Sequence, residues 1–153
     1  MIGADATWVS SADMSALPSP DDLTSLILRT DFGDDAAWEA LQAEMRGEAA
    51  QRSATYVSDP AYAGVTIQAL VDADAAANED DKLTYVFLAD ATTLGDEEHA
   101  LLAVDLESEP GRTFRVPPRW FTDVSANLTI ANMEFADFAD ATDETGTFRG
   151  FDD

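Results

Sequence analysis

Three times along the chain a run of apolar residues stops abruptly at an aspartate. "SLILRTD" ends at Asp31, "TYVSD" at Asp59 and "YVFLAD" at Asp90. Continuous apolar runs of this length read as strands covered on both faces, and a sheet covered twice needs helices to cover it. The intervening segments supply them. "DFGDDAAWEALQAEMRGEAA" places Trp38, Leu41 and Met45 at i, i+3 and i+7, and Asp34 or Asp35 can cap its start. Thr66 can cap a second, shorter helix, "IQALVDADAAA", whose apolar side is Ile67, Leu70 and Val71.

The second half of the chain changes character. "LLAVDLE" (101–107) and "RTFRV" (112–116) flank "SEPG", a turn sequence by its Pro-Gly pair, and predict an antiparallel hairpin. "PPRWFTDVSANLTIA" begins a helix, because proline suits the first helical positions. Asn132 can cap another, "MEFADFADATDE", with Phe135 and Phe138 inward. The expected fold is therefore α/β (or α+β). It has one mixed sheet of about five strands, the first three parallel with right-handed crossover helices, then a hairpin and C-terminal helices. The domain is expected over 23–145. Residues 1–22, rich in Ser, Ala and Asp, read as a flexible tail in which Trp8 can dock. Residues 146–153 read as a second tail, anchored by two phenylalanines.

Parallel strands bring their C-terminal ends to one edge, where open α/β sheets bind ligands. Asp31, Asp59 and Asp90 would share that edge, joined by Asp34, Asp35, Thr92 and Thr93. Gathered carboxylates favour Mg²⁺ and phosphoryl or hydrolytic chemistry. Such chemistry also wants a cation against the transferring group. The only lysine, Lys82, opens the third strand at its far end, ~20 Å away at strand rise, which leaves Arg29, Arg112 or Arg115. The plainer alternative is that these aspartates end strands and cap helices. Other catalytic patterns are missing. The single histidine, His99, reads as a solvated loop residue, and no G-x-S-x-G, G-x-G or Gly-Lys pair occurs.

Charge narrows the choice of partner. The 153 residues carry 31 acids against 8 Lys and Arg, a net charge of −23. A field of that sign repels phosphate backbones and anionic lipid, so no direct nucleic-acid or membrane-surface binding is expected. It attracts metal ions, polyamines or a basic protein surface; solubility and an acidic lineage are the plain alternatives. There is no cysteine, and "MIGADATWVSSADM" has neither the basic nor the apolar region of a secretory signal. A cytoplasmic protein is expected. Against this background "PGRTFRVPPRWFT" (110–122) holds three arginines and no acid. Arg115, Arg119 and Trp120 there are candidate partner contacts, unless the arginines pair with the protein's own carboxylates. Further on, Glu134, Asp137, Asp140 and Glu144 recur at helical spacing and predict an acidic face opposite Phe135 and Phe138.

"LILRTDFGDDAAW", "ATYVSDPAYAG", "FLADATTL", "LLAVDL", "GRTFRVPPRWF", "SANLTIANMEFADFA" and "GTFRGF" together resemble a family of small acidic proteins from high-GC bacteria, catalogued as a domain of unknown function. The resemblance covers about residues 23–151 and implies a single compact domain with no activity to carry over. One lysine beside seven arginines fits a high-GC coding bias. The functional expectation is a non-enzymatic, acidic protein-interaction module, inhibitor-like or immunity-like, that binds a basic protein without a cofactor. Two alternatives are a Mg²⁺-dependent phosphoesterase-like enzyme using Asp31, Asp59 and Asp90, and a DNA mimic whose carboxylates imitate phosphates.

Overall fold

The computed structural model describes residues 17–18, 20–21, 24–46 and 54–150. Trp8, Phe151 and the end of the first helical segment, 47–50, lie outside them. Five strands form one sheet: β1 (Ser25–Arg29), β2 (Ala54–Val57), β3 (Tyr85–Ala89), β4 (Leu101–Asp105) and β5 (Thr113–Val116). Their order is β2-β1-β3-β4-β5. β1 pairs in parallel with β2 and β3, whereas β4 runs antiparallel to β3 and to β5. The mixed sheet, the parallel first three strands and the hairpin agree with the sequence.

Alternation along the strands divides the core in two. Ile27, Phe87, Ala89, Leu101, Ala103, Phe114 and Val116 line one face. They pack under α1 (Asp35–Arg46), α4 (Pro118–Thr129) and α5 (Phe135–Ala139). Leu26, Leu28, Val86, Leu88 and Val104 line the other, with Leu70 and Ala73 of α2 (Ile67–Ala75) and with Tyr62. β1 is buried along its whole length because it lies between β2 and β3 and is covered on both faces.

The helix starts follow local chemistry. Asp34 Oδ1 accepts the Ala37 N–H at 3.0 Å, so Asp34 is the capping residue of α1 and Asp35 is free for another partner. Thr66 Oγ1 takes the Ala69 N–H at 3.0 Å. Pro118 opens α4. Where the chain departs from expectation, the reason is also local. α3 (Ala91–Gly95), too short to show a period, starts at Asp90. The last helix begins at Phe135, not after Asn132. Ala131, at φ 57°, breaks α4, and Asn132 folds back on Asn127 through its backbone and side-chain N–H groups.

The packed domain also reaches past 23–145 at both ends. Leu17 is buried among Leu26, Leu28 and Tyr62. Phe148 is buried among Phe114, Phe138 and Trp120. The backbone of 146–148 closes the outer edge of β5: Arg115 N–H donates to Gly146 O at 2.9 Å, and Phe148 N–H to Arg115 O at 2.7 Å. An uncovered edge strand is costly, and this segment covers it.

Candidate functional site

The three strand-end aspartates do follow β1, β2 and β3, at the edge the parallel pairing defines. The carboxylates of Asp59 and Asp90 are in local use, and Asp31 is engaged through its backbone. Asp59 Oδ1 accepts the Ala61 N–H and caps the turn Pro60–Tyr62. Burial, helped by the Asp59 charge, raises the pKa of the Tyr62 phenol. Asp31 gives its backbone carbonyl to Arg29 Nε at 2.9 Å. Asp90 Oδ1 takes the N–H and the hydroxyl of Thr93, both at 3.0 Å. Its two oxygens also receive the two terminal nitrogens of Arg115, each at 2.9 Å. Burial alone would push the Asp90 pKa up. The Arg115 guanidinium and the Thr93 N–H outweigh it and hold the group below its ordinary value. Among the described residues, no group of three or more His, Asp or Glu side chains is placed to hold a metal ion.

Arg115 points away from Phe114 and Val116, as strand alternation requires, but it meets a carboxylate of its own chain. Most of the other described cations are also engaged within the chain, three arginines by carboxylates and Lys82 by carbonyls. Arg29, buried at the end of β1, pairs with Asp35 at 2.7 Å and lies over the rings of Phe32 and Trp38. Arg112 joins Glu109 and Asp140; Arg149 joins Glu98 and Asp143. Lys82 Nζ caps α2 by donating to the carbonyls of Asp74 and Ala75. His99 is half-buried, not solvated, with Nδ1 2.7 Å from Glu44 Oε1. Arg119 is exposed and lies over its neighbour Trp120. Trp120 itself packs edge-on to Phe148. At Gly150, φ 91°, an added Cβ would sit 2.8 Å from the indole, so the absence of a side chain there lets the chain cross this ring.

The four acids expected along one helix are divided between different roles, because α5 is only five residues long. Glu134 is its N-cap and Asp140 its C-cap, the latter paired with Arg112. Asp137 Oδ2 accepts the Glu134 N–H at 2.9 Å, and Glu144 sits exposed in the turn beyond.

Glu134 does line a groove of about 420 Å³ at the opposite edge of the sheet from the strand-end aspartates. Tyr85, Leu128, Met133 and Phe135 contribute its apolar side, and Asp105, Glu107 and Glu134 its acids. Asp105 is 2% exposed. It accepts the N–H groups of Glu107, Ser108 and Glu109, and so shapes the turn that carries Glu107. Tyr85 is fixed by its hydroxyl, within 2.6 Å of Ser25 Oγ and 3.0 Å of Thr129 Oγ1. Among the described residues, no cationic side chain lines the groove. The groove joins segments more than forty residues apart, and the sequence offered only Glu134 as a pointer to it.

These features define a mixed α/β domain in which four of the described arginines are neutralised from within while many of the described acids remain on its outside. The chain belongs to the family described as domain of unknown function DUF6924, whose model matches residues 24–151. No curated protein matches it. Among the described residues, no helix is long and apolar enough to cross a membrane.

Proposed function

We propose that this domain is a non-catalytic, acidic binding module that engages a basic protein, as inhibitors and immunity proteins do. One observation carries the reading. Four of the described arginines are paired with the protein's own carboxylates, and Lys82 is held by helix carbonyls. Exposed acids such as Glu39, Glu79, Asp80, Asp81, Glu97, Glu107 and Asp123 have no ion-pair partner among the described residues. These unpaired acids are thus displayed outward, in a chain of 31 acids against 8 cations. Such a surface accelerates encounter with a positive patch and discriminates against acidic competitors.

The same arrangement weakens the metal-dependent alternative, since Asp90 already holds a full cationic partner. The test is affinity capture with the intact chain at about 50 mM and about 500 mM salt, conditions that bracket strong and weak charge screening. Recovery of a basic protein that is lost at the higher salt is expected. Recovery of only neutral or acidic proteins, indifferent to salt, overturns the reading.

A further inference from the structure

We propose that the groove between β3, the turn after β4 and the end of α4 receives an arginine side chain of that basic partner. This inference rests on the binding-module reading and gives it a place and a chemistry. The groove is concave, and its volume of about 420 Å³ falls within the roughly 300–1,000 Å³ range of ligand pockets. Three independent features give it one electrostatic sign. Glu107 and Glu134 are exposed carboxylates with no cationic partner among the described residues. Leu128 and Thr129 bring in the C-terminus of α4, the negative end of its dipole. Among the described residues, Arg, Lys and His are absent from the lining.

The apolar side decides which cation fits. Tyr85 and Phe135 line the groove with Leu128 and Met133. A guanidinium is flat, weakly hydrated and able to stack on rings while forking to carboxylates; an ammonium is strongly hydrated and compact. A bare divalent ion favours gathered carboxylates, and among the described residues no group of three or more His, Asp or Glu side chains is placed to hold one. Preorganisation favours the same conclusion. Tyr85 is anchored through Ser25 and Thr129, and buried Asp105 fixes the turn carrying Glu107. Ala131 at φ 57° turns the chain so that Met133 and Glu134 return to the groove.

The test follows amide chemical shifts of the intact chain on titration with a hexa-arginine peptide at low salt, with hexa-lysine in parallel. Shifts should concentrate at 84–85, 105–108 and 128–135. Replacing Glu107→Gln and Glu134→Gln together should weaken hexa-arginine about tenfold. The control pair Glu39→Gln and Asp96→Asn, the same charge change elsewhere, should weaken it less than about twofold. Hexa-lysine should bind at least about threefold more weakly than hexa-arginine. Shifts spread over the whole acidic surface, an equal effect of the control pair, or equal binding of hexa-lysine would overturn the groove and leave the acidic module standing. No binding of either peptide at low salt overturns both. All four positions are exposed, and the same spectra report whether each variant folds.

Discussion

Arg115 grips Asp90 through two parallel hydrogen bonds of 2.9 Å, one from each terminal nitrogen to each carboxylate oxygen. The same guanidinium reaches Thr93 Oγ1 at 3.3 Å, and the Arg115 backbone is bonded on both sides to the segment 146–148. One residue therefore ties the end of β3, the start of α3 and the C-terminal segment to β5. The two side chains are 21% and 24% exposed, between a buried and a surface pair. Arg115→Ala should cost about 2–3 kcal/mol in urea unfolding, because it leaves Asp90 half-desolvated without its partner. Arg115→Lys should recover only part of the loss, since an ammonium has one nitrogen and cannot make the two parallel hydrogen bonds. A double-mutant cycle with Asp90→Asn should show strong coupling. Additive effects would mean that the pair contributes little.

The acid limb of stability follows from the same pair. Asp90 has a folded-state pKa below its unfolded one. Its contribution is complete above the unfolded value, about 4, and is lost as pH falls through the lower folded value. Asp143 is also held low, by the Thr145 hydroxyl, the Thr147 N–H and Arg149, and Glu98 by Arg149. The urea midpoint should stay level or rise slightly from pH 7 to about pH 5 as self-repulsion eases. Below about pH 4 it should fall. Asp90→Asn should flatten part of that fall, and an unchanged acid limb in this variant would contradict the assignment.

What was legible in the sequence depended on how local the signal is. β1 was legible because its apolar run is uninterrupted, and α1 because Trp38, Leu41 and Met45 keep the helical period. Thr66 and Pro118 announced their helices by chemistry that acts within three residues. α3 was not legible, because five residues show no period. Helical spacing alone overextended α5; it carries no trace of the left-handed turn at Ala131. Asp90 and Arg115 were each singled out, for a metal and for a partner. Their meeting depends on β4 lying between β3 and β5, which spacing along the chain does not encode. The groove was hidden for the same reason: its walls come from three distant segments.

Phe148 and Arg149 are neighbours with opposite weights. Phe148 is 2% exposed and meets the rings of Phe114, Trp120 and Phe138. Its replacement by alanine removes this packing and leaves a cavity, so Phe148→Ala should cost about 3–5 kcal/mol. It should also loosen the cover on β5, visible as faster amide exchange at Arg115 and Phe148. Arg149→Ala breaks pairs with Glu98 and Asp143 that face solvent, and should barely move the melting temperature. If the two variants lose similar stability, the C-terminal segment is held by charge and not by its buried ring.

Salt should stabilise this protein. A few specific ion pairs lose attraction as ionic strength rises, which alone would lower the melting temperature. Set against them is the mutual repulsion within a net charge of −23, a term compactness increases. The pair best placed to resist screening is Arg115–Asp90, with both side chains mostly covered, whereas Asp35, the partner of buried Arg29, is 88% exposed. Repulsion among exposed acids, such as those of the run Glu79–Asp81, is screened almost fully once the Debye length falls to about 3 Å at 1 M. The repulsive term therefore shrinks more than the attractive one. Raising sodium chloride from about 20 mM to about 500 mM should raise the melting temperature by several degrees, at about 2–4 °C per kcal/mol for a chain of this size. The increment should be smaller in a variant neutralised at Glu79, Asp80 and Asp81. A melting temperature that falls with salt would show that specific pairs, not net charge, dominate the electrostatics of the fold.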